Sequence, residues 1–256
     1  MTMGRGSRSP RRGAPVPGPV ALALAALVAG VNPSARADDR PFLRTGTAIV
    51  EDDDERVFEV HGTVQAGRRF RGLGLQVEYA FSPTFSLEFE WSRTRDRLEG
   101  ESSREIGLGA RLAWVDPARE GWGLATRFSV ERERESDDGW ARPAWKGVLA
   151  WSLPAADRSA WLHANVGARY QPAEPGERRW TGLWSVAAQQ EITRHTVLFA
   201  EAAGARGGTE RLAQVGVRHW LRREKVALDL ALGRHFDLGP RGGFVVLGLS
   251  FHDISP

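Results

Sequence analysis

Side chains able to do chemistry recur in this sequence at two-residue steps, among them Glu88 and Glu90, His163 and Asn165, and Ser250 and His252. Residues two apart on a strand share a face, so each pair converges if its segment is extended. One chemistry open to them is nucleophilic hydrolysis by serine, histidine and asparagine or aspartate, for which His163 with Asn165 and Ser250 with His252 are the candidates. Two polar residues at that spacing are a frequent coincidence on a strand with a polar face, so no catalytic role is expected. Metal binding is a second possibility, but the six histidines show no ligand spacing and cysteine is absent, so neither a metal nor a cofactor is expected. No glycine-rich phosphate loop follows a strand and opens a helix.

The third chemistry is fixed charge along a passage, orienting or selecting solutes. The residues expected to line it are Glu78, Glu88, Glu90, Arg111, Arg127, Glu131, His163, Arg169, Glu191, Glu201, Arg218, Asp229 and His235. The competing reading of the same residues is that acids and arginines pair across a narrow interior and close it, since buried charges persist only when paired.

These residues need elements that hold them on one face, and the alternation of the sequence supplies them. Over Arg71–Phe81, Leu73, Leu75, Val77, Tyr79 and Phe81 alternate with Gly72, Gly74, Gln76, Glu78 and Ala80; Ser82-Pro83-Thr84 turns the chain, and Phe85, Leu87, Phe89 and Trp91 resume the pattern. Continued to the end, it predicts strands at Glu55–Val64, Arg71–Phe81, Phe85–Arg93, Arg104–Val115, Gly121–Glu131, Trp140–Leu153, Ala160–Tyr170, Arg179–Ile192, Thr196–Gly204, Leu212–Leu221, Lys225–Phe236 and Phe244–His252. Most match the roughly 9–11 residues that a tilted strand needs to cross a bilayer. Short connections (82–84, 116–120, 154–159, 193–195, 222–224) alternate with longer, more charged ones (65–70, 94–103, 132–139, 171–178), as in barrels with short periplasmic turns and longer outside loops. The fold expected is an all-β, transmembrane, antiparallel up-and-down barrel of about twelve strands. Twelve lies between the eight strands that leave a filled interior and the sixteen or more that leave an open channel.

The first 37 residues stand apart. Arg5, Arg8, Arg11 and Arg12 precede an apolar run from Val16 to Val31, and Ala35-Arg36-Ala37 is a small-x-small cleavage site, which is the pattern of a secretory signal peptide. Residues 38–54 are expected as a periplasmic N-terminal segment and 55–256 as the barrel. Removing the leader's five arginines from the +3 of the whole chain leaves −2 on the mature protein, so no basic surface for nucleic acid remains. A mean hydropathy of −0.37 would count against helical spans but suits a barrel, whose lumenal half is polar.

Aromatic residues gather at strand ends: Tyr79, Phe81 and Phe85 at one turn, Trp114 and Trp122 at the next, Trp151 and Trp161 at the third, with Trp180 and Trp184 near the opposite end. Such rings sit well at lipid headgroup level, as an interfacial girdle. Small residues, including Gly72, Gly74, Gly107, Gly109, Gly167, Gly216, Gly233 and Gly248, fall mostly on the polar face, where strand curvature is the expected reason.

Asp38-Asp39-Arg40-Pro41-Phe42-Leu43, the first-strand Phe58-Glu59-Val60, the Leu75–Glu88 strand-turn-strand and the closing Gly233-Arg234-His235-Phe236 and Gly248-Leu249-Ser250-Phe251 resemble the outer-membrane transporters grouped with the MetA-pathway phenol-degradation proteins. The resemblance implies passage of small, aromatic or hydrophobic molecules and supplies no site residues. His252–Pro256 after the last aromatic departs from the usual terminal aromatic of such barrels. The expectation is therefore a channel or passive transporter in the outer membrane of a Gram-negative bacterium, not an enzyme. Its partners would be lipid, the barrel assembly machinery and a small-molecule solute. A non-conducting structural or surface-binding barrel is the alternative.

Overall fold

The structure is a computed structural model, and it describes residues 42–48, 57–135, 139–156, 158–172, 180–207 and 209–252. The expected leader, 1–37, lies outside the described residues. Twelve strands form one closed antiparallel barrel: β1 (Val57–Gly67), β2 (Phe70–Ser82), β3 (Phe85–Asp96), β4 (Ser102–Val115), β5 (Gly123–Glu135), β6 (Ala144–Pro154), β7 (Ala160–Tyr170), β8 (Trp180–Thr193), β9 (Thr196–Ala205), β10 (Leu212–Arg222), β11 (Val226–His235) and β12 (Gly243–Phe251). Each strand pairs with its sequence neighbours, and β1 closes on β12 from Val60 opposite Phe251 to Gly67 opposite Phe244. Closure removes the two unpaired edges an open sheet would present.

Alternation decides which way each side chain points. Leu108, Phe128, Leu232 and Leu247 stand on the outside, 50–62% exposed, while their sequence neighbours turn inward. An outer surface this apolar has no place in water and fits lipid. Trp114 and Trp122 are exposed at the end closed by tight connections, here the turn end. Trp114 Nε1 donates to Thr126 Oγ1 at 2.7 Å, which satisfies its polar edge on the outer face. Trp180 and Trp184 are exposed towards the opposite, loop end.

Three expectations change. The connection between β1 and β2 is not one of the longer ones: alternation continues through Gln65, Ala66 and Gly67, so only Arg68 and Arg69 turn the chain. Arg69 then binds Asp96 at 2.7 Å and Glu99 at 2.9 Å, tying that turn to the next loop. Trp161 does not join the girdle. It is 5% exposed, lies on the inner face of β7 and stacks parallel to His163, because its odd number gives it the parity of His163 and Asn165.

The inner glycines make room rather than only curve the sheet. A Cβ at Gly248 would sit 3.0 Å from Asp229 Oδ2 and 3.2 Å from the His61 ring, and one at Gly216 would collide with the Phe199 ring. Large inward side chains lie flat against the wall because the neighbouring strand offers no side chain there.

Candidate functional site

All thirteen residues expected to line the interior carry inward parity, and most of them are paired. On one side Arg111 binds Glu88 at 2.8 Å and Glu78 at 3.2 Å, while Arg127 binds both Glu88 and Glu90. Register explains the ladder, because Glu78 faces Glu88 across β2 and β3 and Arg111 faces Arg127 across β4 and β5. Two strands of acid thus meet two of arginine. Glu131 continues the pattern with Ser129 at 3.0 Å and Lys146 at 3.7 Å.

On the opposite wall Arg218 grips Asp229 through two hydrogen bonds of 2.7 and 2.9 Å and donates to Ser250 at 3.1 Å. Ser250 Oγ lies 2.7 Å from His61 Nδ1, and Trp220 lies beneath the Arg218 guanidinium at 5.5 Å. This serine, histidine and aspartate do not make a catalytic triad. Asp229 approaches the same Nδ1 that meets Ser250, at 4.0 Å, whereas a triad acid orients the ring from its other nitrogen. The hydroxyl is moreover fully buried and engaged by arginine. His252 packs on Trp220 at 5.1 Å.

The remaining expected residues sit apart from these networks. Glu191 lies near the turn end, 3.9 Å from Arg223. His235, at the loop end, packs on Phe70 and Phe244 at 5.2 and 4.9 Å. Arg169 makes a two-pronged pair with Glu210 in the β9–β10 loop. Burial works against the Glu210 charge, but the hydrogen bond and the charge of Arg169 outweigh it and hold that carboxyl below its ordinary value. Among the described residues no group of three histidines, aspartates and glutamates converges as a metal site would.

Glu201 is held differently. Its carboxylate accepts backbone N–H groups from Leu43 at 2.9 Å, Arg44 at 2.7 Å and Thr45 at 2.6 Å, together with Gln214 Nε2 at 2.8 Å. Residues 42–48 therefore lie inside the barrel as an arm. Ala48 anchors its base near the turn end, donating to Ser152 Oγ at 2.8 Å and packing with Ala80, Ala113 and Ala125. Phe42 reaches His163 and Phe199, with ring centroids 5.6 and 6.0 Å apart. With Leu43 it extends an apolar patch of Phe70, Phe199, Ala231, Phe244 and Val246 on the lumen wall.

The arm fills the middle of the lumen. Beside it lie a cavity of about 50 Å³, lined by Arg44, Glu131, Lys146, Asn165, Arg169 and Glu210, and one of about 10 Å³ between Gly46 and the Arg111–Arg127 wall. A water needs roughly 10–15 Å³ on this measure, so these two cavities have room for a few waters. Sequence reasoning identified Glu201 but missed its partner. The only sign was Phe42-Leu43, two apolar residues after an acidic start, in a segment expected to lie in the periplasm.

A closed twelve-stranded wall around a charged, strapped lumen can be compared with known proteins. The family described as Uncharacterised conserved protein UCP029691 matches residues 77–252, from the middle of β2 through the end of β12. The chain belongs to that family. No curated protein matches the sequence. Among solved structures, this UCP029691 member is similar to the COG4313 outer membrane channel from Pseudomonas putida F1, with a TM-score of 0.59, 11% identity, and coverage of 82% of this chain and 100% of that one. The KdgM porin gives 0.56 at 10% identity over 75% of this chain and 98% of that one. The NanC porin gives 0.55 at 10% identity, with coverage of 76% and 98%. At these identities the likeness establishes the fold, which is the closed barrel of outer-membrane porins and channels.

Proposed function

We propose that this UCP029691 member is an outer-membrane channel for small solutes that rests with its lumen closed by its own N-terminal arm. One observation carries the reading: the centre of the barrel is occupied by Phe42–Ala48, a stretch of backbone outside the wall, held through Glu201 and Ser152. A strap tied by hydrogen bonds can leave, whereas wall side chains cannot. The apolar exterior with aromatic residues at both ends supports a bilayer location. The porin and channel structures of the same fold support transport. A Gram-negative outer membrane reached through a cleaved leader, and insertion by the barrel assembly machinery reading the strand that ends at Phe251, complete the proposal. The inward rings of Trp161, His163 and Phe199, with the resemblance to the MetA-pathway group, favour aromatic or hydrophobic solutes.

The alternative, a non-conducting structural or surface-binding barrel, draws on the charge pairs that bridge the inner wall on both sides. Planar-bilayer conductance separates the two. The full chain is expected to conduct rarely, and the Arg44→Pro/Thr45→Pro variant, which lacks two of the N–H groups on Glu201, to show large, persistent openings. Absence of current from both forms, with folding confirmed by heat-modifiable gel migration, would support the non-conducting barrel.

A further inference from the structure

Among the described residues Glu201 is buried without a cationic side chain to match it, in contrast to Glu78, Glu88, Glu90 and Asp229. Glu78, Glu88 and Glu90 share Arg111 and Arg127, and Asp229 has Arg218. Among the described residues, the partners of Glu201 are three N–H groups of the arm and the Gln214 amide. Take the arm away, and the carboxylate turns to the opened lumen with Gln214 as its one side-chain donor and no counter-charge beside it, a place where a cation or a set of donors is bound favourably. The wall at this point is therefore incomplete by itself.

What completes it has a definite chemistry. The arm presents an aromatic ring, Phe42, against Phe199 and His163, and then, three carbons along the chain, the first of three N–H donors to the carboxylate. Even so it leaves buried polar atoms unmet: among the described residues the acceptor Gln214 Oε1, beside Glu201, and His163 Nε2, beside the Phe42 ring, have no hydrogen-bond partner. An ammonium group carries three donors and a full positive charge. Placed at the Leu43 nitrogen, it would neutralise Glu201 and offer a donor to Gln214 Oε1, while a ring on a short linker would take the place of Phe42. Trp161, stacked parallel to His163 with centroids 6.3 Å apart, lengthens the aromatic wall behind that position.

We infer that the pocket around Glu201, Gln214, His163 and Phe199 is the solute site of the channel, that it takes an aromatic ring bearing a cationic nitrogen on a short linker, and that the arm occupies it as a substitute. The inference rests on the channel reading and deepens it by naming the class of solute. The chain then carries its own competitor: a solute that binds displaces the arm and opens the lumen, and a vacant site takes the arm back. Neutral and anionic aromatics meet the same rings but leave Glu201 uncompensated, so they compete poorly.

The test uses the full chain in detergent, with 3-phenylpropylammonium as the probe and 3-phenylpropionate and propylammonium as comparisons. Binding is read by titration calorimetry, independently of any current. The Arg44→Pro/Thr45→Pro variant should bind 3-phenylpropylammonium at least ten-fold more tightly than the parent, because the competitor is unlatched. It should bind the other two at least ten-fold more weakly than the first, and adding Glu201→Gln, which keeps the shape and removes the charge, should abolish the preference for the cation. In bilayers the same ammonium should raise the open time of the parent. Equal affinity of parent and unlatched variant, comparable binding of the carboxylate, or a preference that survives Glu201→Gln would each overturn the assignment. Cation-selective binding without current in any form would instead refute the channel while upholding the site.

Discussion

Removing the Arg218 side chain while keeping its volume should cost more stability than its position in a wide barrel suggests. The Arg218 and Asp229 side chains are 1% and 4% exposed and share bonds of 2.7 and 2.9 Å. In Arg218→Met the carboxylate keeps, among the described residues, Ser250 Oγ at 3.5 Å and the His61 ring at 4.0 Å. Gly248, whose added Cβ would stand 3.0 Å away, offers no hydrogen-bonding side chain to replace the arginine. Breaking a buried pair by removing one partner costs about 3–5 kcal/mol, because the other charge stays behind unmatched. Removing both charges in Arg218→Met/Asp229→Asn should therefore recover about 2 kcal/mol or more, which a double-mutant cycle reads as coupling. The assay is urea unfolding of protein refolded into lipid vesicles, followed by heat-modifiable migration and tryptophan fluorescence. A single variant within about 1 kcal/mol of the parent, or a double variant no more stable than the single, would show that water reaches and screens this pair, and the argument from burial would fail.

Further outcomes follow from the same geometry. Leu108→Arg, on the outer face of β4 at 62% exposure, should cost about 2–4 kcal/mol in a bilayer and far less in small, deformable micelles; equal loss in both would refute its contact with lipid. In variants retaining one tryptophan, brominated lipid should quench Trp114 and Trp180 and leave the inward Trp161 unquenched, and strong quenching of Trp161 would reverse its assignment. Gly216→Val should displace the Phe199 ring and cost about 1–3 kcal/mol, with looser binding of Phe42; a fully stable variant would contradict the tight fit. The Arg169–Glu210 latch has a pH signature. Because the Glu210 carboxyl is held below its ordinary value, its contribution is complete above the unfolded glutamate value of about 4–5 and is lost as pH falls through the lower folded value. A spin label at Gly207 should therefore gain mobility in acid, and Glu210→Gln should be mobile at every pH.

Much of this was legible from residues alone, for a physical reason. Alternation has a period of two, so once Leu73 or Leu228 is assigned to lipid the facing of its whole strand follows. That is why all thirteen inner residues carry the parity expected of them. Trp161 shows the limit, because its place beside a turn suggested a girdle while its parity put it on the inner face, and parity won. The β1–β2 turn shows another: Arg68 and Arg69 looked like part of a charged loop, but strand pairing runs up to them and Asp96 holds Arg69 from outside. Which acids pair could not be read, since Arg111 reaches Glu88 on a neighbouring strand and also Glu78 one strand further away, contacts fixed by register across three strands. The arm was beyond reach for a different reason. Residues 42–48 alternate with nothing and make no strand, and their position depends on hydrogen bonds to Glu201 from 156 to 158 residues away.

The most direct test of the account is a reversible lock on the arm. The chain contains no cysteine, and a Cβ on Gly123 would stand 3.0 Å from that of Ala48, close to the roughly 3.5–4.5 Å of a disulfide. In Ala48→Cys/Gly123→Cys the bond should form on oxidation, visible as a shift in gel migration, and the oxidised channel should show no openings in a planar bilayer. Reduction should restore the openings of the parent. A pair that fails to cross-link in the folded barrel, or an oxidised form that conducts as freely as the reduced one, would contradict an arm that closes the lumen.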